Sequence, residues 1–411
     1  MHVGIVSFGS PPLPHVSAKR PSYMGRGLVD LKHEVTILTC DWRTAPSSPS
    51  LIEDGVRYER VSPRDWYPGF DPQRVPIQIE KPKSKWRTRF DVAKRTARWG
   101  AFEPWGREAL RRLLEVHREN PLDVVWAIHG DDTSHEIAYR FHRSTGCPWV
   151  ADFKDPWNVF HGRSLLPAQK LATRRRLRSS RVLTETSSLQ AVSDAETFGY
   201  VSHFLPSGYN AEKMAAAAPE SVSDGPSIVF TGHLASGVQA FDALREFLAR
   251  LDGDLVAFTL HVFGKSHTNI EAVARAAGFT DRLHTHPFVS EDRAFGLMKG
   301  ADALVMLPMT SDSARNLIGM KELEYLASGS PVFYLDNPAP EIAALSSSLP
   351  NLLVVRTADE QQAALTEILS ARAEARPAKF RGEVNAAALA QFTWERLVLQ
   401  LETILKAKVH R

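Results

Sequence analysis

Lys321-Glu322-Leu323-Glu324-Tyr325-Leu326-Ala327-Ser328-Gly329-Ser330-Pro331-Val332, running on into Phe333-Tyr334-Leu335, is the stretch whose reading decides the fold. Leu323, Leu326 and Ala327 recur at helical spacing, Gly329 supplies a C-terminal stop, and Pro331 opens an apolar strand. A short helix therefore runs into a buried strand. Glu324 falls near the helix start, on the side facing whatever sits at the strand ends.

The same alternation extends outward in both directions. The first half offers β-rich runs at Val3–Phe8, Glu34–Thr39, Val56–Val61, Val124–Ile128, Trp149–Phe153 and Val182–Thr186. The second half offers Ile228–Thr231, Phe258–Phe263, Leu283–Phe288, Ala303–Leu307, Val332–Leu335 and Leu352–Val355. Most are continuous apolar runs, the pattern of strands buried on both faces. Helical patterns such as Phe241–Leu251 and Glu271–Ala277 lie between them. Two successive series predict an α/β chain with two doubly wound parallel sheets. Pro206-Ser207-Gly208-Tyr209-Asn210 breaks the pattern midway, and an Ala- and Ser-rich connector follows from Ala215 to Ser227. This places one domain over 1–207 and a second over 208–390. The last segment, 391–411, carries Trp394, Leu397, Leu401, Ile404 and Leu405 on one apolar helical face, with Thr393 a candidate N-cap. That helix either caps the second domain or reaches back to the first.

Composition is compatible with this reading. At 411 residues the chain is long enough for two cores, and 43% hydrophobic with 24% charged residues is ordinary for a globular protein. A net charge of +3 excludes a polycation built to seek nucleic acid. Cys40 and Cys147 are too few for a disulfide framework and suit a reducing compartment. No apolar run reaches the roughly 18 residues a membrane span needs. Met1 leads at once into strand-like sequence, so a cytoplasmic protein without a signal peptide is expected.

The 321–332 stretch resembles the C-terminal signature of retaining family-4 glycosyltransferases, K-x-x-E-Y-x-A-x-G-x-P-V. Three further segments resemble that family in the correct order. They are Leu31-Lys32-His33-Glu34-Val35-Thr36-Ile37-Leu38, Trp149-Val150-Ala151-Asp152-Phe153-Lys154-Asp155-Pro156-Trp157 and Phe204-Leu205-Pro206-Ser207-Gly208-Tyr209-Asn210. The resemblance implies the GT-B architecture: two Rossmann-like domains facing a cleft, the second binding a nucleotide sugar, and a C-terminal helix crossing back to the first. It also implies sugar transfer from a nucleoside-diphosphate sugar to a hydroxyl acceptor (a glycan, a lipid-linked molecule or a small molecule), with no metal required.

In the family the helix glutamate holds the donor ribose, a role that falls here on Glu324. A carboxylate can accept from both hydroxyls of a diol. The family's second glutamate, eight positions earlier, is replaced by Asn316. The donor diphosphate needs cations and amides, and the segment Arg315-Asn316-Leu317-Ile318-Gly319-Met320-Lys321 leads into the helix N-terminus. At the end of the first strand of the second domain, Gly232-His233-Leu234 resembles the family's G-x-L turn. The basic pair usual beyond that turn is not matched, so Arg315, Lys321 and Lys265 are the candidates to replace it. The loop after the first strand, with Ser10, Lys19 and Arg20, stands where α/β sheets bind ligands and is a candidate for phosphate or acceptor contact. His129 and Asp155 follow two further strands and are candidates to orient the acceptor hydroxyl or act on its proton. No metal-ligand spacing occurs.

Residues 81–112 hold eleven Lys/Arg against three Asp/Glu, mixed with aromatic residues, and Lys170 to Arg181 adds six basic residues and no acid. Such charge suits an anionic membrane surface or an ordinary solvated face, and no nucleic-acid motif accompanies it. Two other functions fit the same architecture: a sugar-nucleotide epimerase or hydrolase, and a catalytically silent glycan-binding partner of a synthase.

Overall fold

The computed structural model describes all residues except 14–15, 44–48, 63–98, 100–101, 131, 156, 158–165, 233–240, 252–254, 256, 265–267, 308–316, 336, 382–385 and 411. The chain forms two compact units: Met1–Ser207 together with Trp394–Arg411, and Gly208–Thr393.

The first unit is built on an eight-stranded sheet. Its strands are β1 (His2–Val6), β2 (Glu34–Cys40), β3 (Ser50–Glu53), β4 (Val56–Val61), β5 (Val124–Ile128), β6 (Trp149–Phe153), β7 (Val182–Glu185) and β8 (Val201–Phe204). They lie in the order β3-β4-β2-β1-β5-β6-β7-β8, all parallel except β3, which runs antiparallel to β4. β1, β5 and β6 are buried along their whole length, which is why they read as unbroken apolar runs. β3 and β8 were not expected from the sequence. Both are edge strands with half-exposed or exposed side chains, so neither carries the buried-strand pattern.

Helices cover the sheet through spaced apolar faces. In the helix Glu103–Glu119 the buried residues Trp105, Ala109, Leu113 and Val116 recur at three- and four-residue steps. The C-terminal helix Trp394–Val409 belongs to this unit and buries Trp394, Leu397, Val398, Leu401, Ile404 and Leu405. It packs closely on the helix Lys19–Asp30: a Cβ on Gly27 would lie 2.4 Å from Val398, and the rings of Tyr23 and Trp394 stack 5.1 Å apart. Full burial of each such apolar side chain contributes about 1.5–3 kcal/mol.

The second unit holds an all-parallel six-stranded sheet. Its strands are β9 (Ser227–Thr231), β10 (Thr259–Phe263), β11 (Leu283–His286), β12 (Ala303–Met306), β13 (Val332–Tyr334) and β14 (Leu352–Val354). Their order, β11-β10-β9-β12-β13-β14, reverses direction at β9 and is the dinucleotide-fold order. The core gathers Ile228, Phe247, Phe258, Leu260, Phe333 and Leu365. Ligands in such sheets sit beyond the strand C-termini at the reversal, which here is the end of β9.

Candidate functional site

β9 ends at Thr231, and the next residue, Gly232, adopts φ +117°. Only glycine enters that region without strain. Its amide donates to Phe263 O at 2.7 Å. A second glycine closes the adjacent strand: a Cβ on Gly264 would lie 2.1 Å from Gly232 O. The two strand ends therefore approach backbone to backbone.

The helix Met320–Ala327 is pinned against this corner. Leu323 and Leu326 are fully buried and set its inner face. Tyr325 Oη accepts from Thr231 N at 2.8 Å, tying the helix to the last residue of β9. At the other end Gly329 takes φ +77°, and Asn351 Nδ2 donates to Leu326 O and Ser330 O at 3.0 and 3.1 Å, satisfying carbonyls the helix leaves open.

This docking brings Lys321 against Gly232, where a Cβ would meet its ammonium at 2.7 Å. The ammonium sits 3.8 Å from the centroid of the Phe230 ring. Among the described residues it has no hydrogen bond or ion pair. Although the residue as a whole is only half-buried, protein encloses the amine closely. Desolvation pulls its pKa down to about 7, and the carboxylate of Glu324 acts in the opposite sense. Glu324, 8% exposed, lies three residues further along the helix. Glu322 is buried on a different face beside the Tyr334 phenol, and burial pushes its pKa up to about 7. The corner thus offers an anion a compact cation on a glycine backbone, and offers a diol a carboxylate nearby. Ile318 is buried and Leu317 half-buried just before the helix. His233, Lys265, Arg315 and Asn316 lie outside the described residues.

The first unit arranges its candidates differently. Arg20 does not face a ligand: it is 2% exposed and bound on all sides. Its Nε and Nη2 grip Asp152 at 3.0 and 2.6 Å, and Nη1 and Nη2 donate to Pro206 O and Leu205 O at 2.8 and 2.9 Å. Four of its five N–H groups are thereby used, which corrects the expectation of phosphate or acceptor contact. Ser10 is likewise fully buried, its hydroxyl directed at Pro11 O. Lys19 is half-buried at the first position of its helix. His129 is buried, its amide donating to Asp152 O at 2.8 Å and its Nε2 3.6 Å from Asp132. Asp155 is partly exposed, 4.0 Å from Lys154 Nζ.

The sequence reading did not single out Glu185 and Asp194. Both are fully buried at the end of β7 and on the helix Ser188–Phe198, and Asp194 accepts from Trp157 Nε1 and Gln190 Nε2 at 3.1 and 2.6 Å. Burial pushes both pKa values up, Asp194 to about 6; the Asp194 carboxylate adds to the rise at Glu185, whereas hydrogen bonds to Glu185, Gln190 and Trp157 hold that of Asp194 down. The available signal was an acid inside the apolar run Val182-Leu183-Thr184-Glu185.

Residues 225–371 match the family Glycosyl transferases group 1. Comparison with curated proteins finds no match. Solved structures share the whole architecture. Sucrose-phosphate synthase from Thermosynechococcus elongatus superposes with a TM-score of 0.70 at 14% identity, over 99% of this chain and 98% of its own. Anabaena HepE in complex with UDP-glucose gives 0.61 at 12%, over 99% and 100%. WaaG, a glycosyltransferase involved in lipopolysaccharide biosynthesis, gives 0.62 at 15%, over 98% and 99%. The chain has the GT-B architecture. The matched segment contains the Gly232 turn and the Met320–Ala327 helix, so the corner built by Gly232, Lys321 and Glu324 lies wholly within it.

Proposed function

We propose that this protein is a retaining, family-4 glycosyltransferase that moves a sugar from a nucleoside-diphosphate sugar to a hydroxyl acceptor in glycan, exopolysaccharide or glycoconjugate biosynthesis. The observation that carries the proposal is the placement of the Lys321 ammonium against Gly232, with Glu324 one turn further along the same helix. Glu324 takes the ribose hydroxyls, and Lys321 together with the amides at the helix start takes the diphosphate. As the glycosidic bond to the donor breaks, negative charge grows on the leaving diphosphate, and a desolvated ammonium fixed beside it stabilises that charge without reorganising. This gives the protein a cation of its own where the family's usual basic pair is unmatched, and no metal is required in the proposal. HepE holding UDP-glucose supports a nucleotide-sugar donor. The Met1–Ser207 unit supplies the acceptor side in this reading. Asp155 is the candidate to orient the acceptor hydroxyl, and the burial of His129 makes it a positioning group.

The test is incubation with a panel of UDP-, GDP- and TDP-sugars, with and without hydroxyl acceptors, following nucleotide release and the anomeric proton of the product by NMR. Acceptor-dependent release with the donor's anomeric configuration preserved is expected. Inversion overturns the retaining assignment. Release without acceptor favours a hydrolase, and no release from any donor favours a silent partner.

A further inference from the structure

Among the described residues of the first unit, one helix has arginines paired and another leaves basic side chains unpaired. Most of residues 81–112 lie outside the described residues, and in the described portion arginines are neutralised in place. Arg107 pairs with Glu103, Arg111 with Glu108 and Glu115, and Arg112 with Glu59 at 2.8 Å. The helix Leu166–Ser180 is different, because it contains no acid at all. Arg175 and Arg176 turn inward to Glu136, each at 2.7 Å. Lys170, Arg174 and Arg178 are exposed, as is Arg181 just beyond the helix end. Among the described residues none of these four has an ion-pair partner; Arg181 Nε donates to Arg178 O at 3.3 Å.

Lys170, Arg174 and Arg178 recur every four residues, so they form one stripe with cations about 6 Å apart. Leu171 stands beside the first of them with 69% of its surface exposed, a costly position for leucine in water. Near the end of the stripe lies a groove of about 430 Å³ between β7, β8 and the helix Trp394–Val409, lined by apolar and polar residues in equal number. Val182, Leu399 and Ile404 line it, and Lys408, also in its lining, donates to Ser180 O at the end of the basic helix. Val201 and Leu399 on its walls are 44% and 42% exposed.

We infer that this face is a docking surface for an anionic bilayer, with the cation stripe on the phosphate headgroups and Leu171 in the interface. Unpaired cations in a row match a plane of negative headgroups, and attraction there amounts to roughly a factor of five per basic residue. An exposed leucine between the cations suits an acyl boundary. That leucine gains nothing against a phosphate backbone in water, so nucleic acid is the disfavoured occupant. The inference does not depend on the donor site.

The experiment is flotation of the full chain with vesicles of phosphatidylcholine alone or mixed with phosphatidylglycerol, at low and high salt. Wild type is expected on the mixed vesicles only, with binding that falls steeply with salt. The variant Lys170→Gln/Arg174→Gln/Arg178→Gln should bind about 100-fold more weakly, whereas Arg107→Gln/Arg111→Gln should bind like wild type. Leu171→Ser should remove the part of binding that survives salt. Because all these residues are exposed, an unchanged thermal melt confirms that each variant is folded. Equal binding to both vesicle types, a triple variant that binds like wild type, or tighter binding to a short DNA duplex than to vesicles would overturn the proposal.

Discussion

Lys321 is held on the verge of losing its proton. Its amine is enclosed between the Phe230 ring and the Gly232 backbone, and desolvation sets its pKa near 7. A diphosphate bound beside it favours the ammonium, so binding takes up a proton once the pH exceeds that value. Affinity for a nucleoside diphosphate is therefore full below about pH 7 and weakens as pH rises through it, by at most about tenfold per unit. Calorimetric titrations across that range should show this slope in wild type. Lys321→Gln should bind more weakly and show no slope, and an unchanged slope in the variant would assign the titration to another group. Glu185 gives stability a pH dependence of the same sign. Its carboxyl, buried with Asp194, holds a proton in the folded chain above the pH at which an unfolded carboxyl releases it. The folded state is thus favoured at low pH and loses stability as pH rises above about 4 and through the value near 6 of Asp194. Glu185→Gln should flatten that decline and raise the melting temperature near neutrality. A variant that melts below wild type at neutral pH would show that the ionised pair is not the source of the cost.

At the scale of elements, the position of the helix Met320–Ala327 is fixed by the buried Tyr325 side chain, which is bonded to the end of β9. Tyr325→Phe removes the acceptor for the buried Thr231 amide and should cost about 1–3 kcal/mol. It should also weaken nucleotide binding, since Lys321 and Glu324 ride on the same helix; full stability with unchanged affinity would contradict this. This helix was legible in the sequence because its apolar spacing, its glycine stop and the strand that follows are all local signals. The buried strands were legible for the same reason, and β3 and β8 were not, because an edge strand half in water lacks an apolar run. Arg20 was misread for a physical reason. Its position after a loop looks like solvent charge, and its partner Asp152 lies 132 residues away in sequence. The parallel sheet, pairing β1 with β5 and β5 with β6, is what brings that strand end to the start of the helix Lys19–Asp30. Glu185 was passed over because sequence pattern registers apolar periodicity, not an acid enclosed by distant segments.

For the molecule as a whole, two sheets of the same general plan carry different chemistry at their strand ends. The first unit closes its polar groups on one another, Arg20 with Asp152 and Arg176 with Asp132 and Glu136. The second leaves a cation without a partner among the described residues at the turn after β9. That asymmetry is the ground for assigning the donor to Gly208–Thr393, and it can be tested without knowing the acceptor. The decisive measurement is calorimetric titration of UDP, GDP and TDP into wild type and Glu324→Ala. The account predicts that at least one nucleoside diphosphate binds wild type, and that Glu324→Ala weakens it by about 1.5–3 kcal/mol, the range for hydrogen bonds to a charged group. Binding of that nucleotide to Glu324→Ala with wild-type affinity, or no binding of any of the three to wild type, would contradict it.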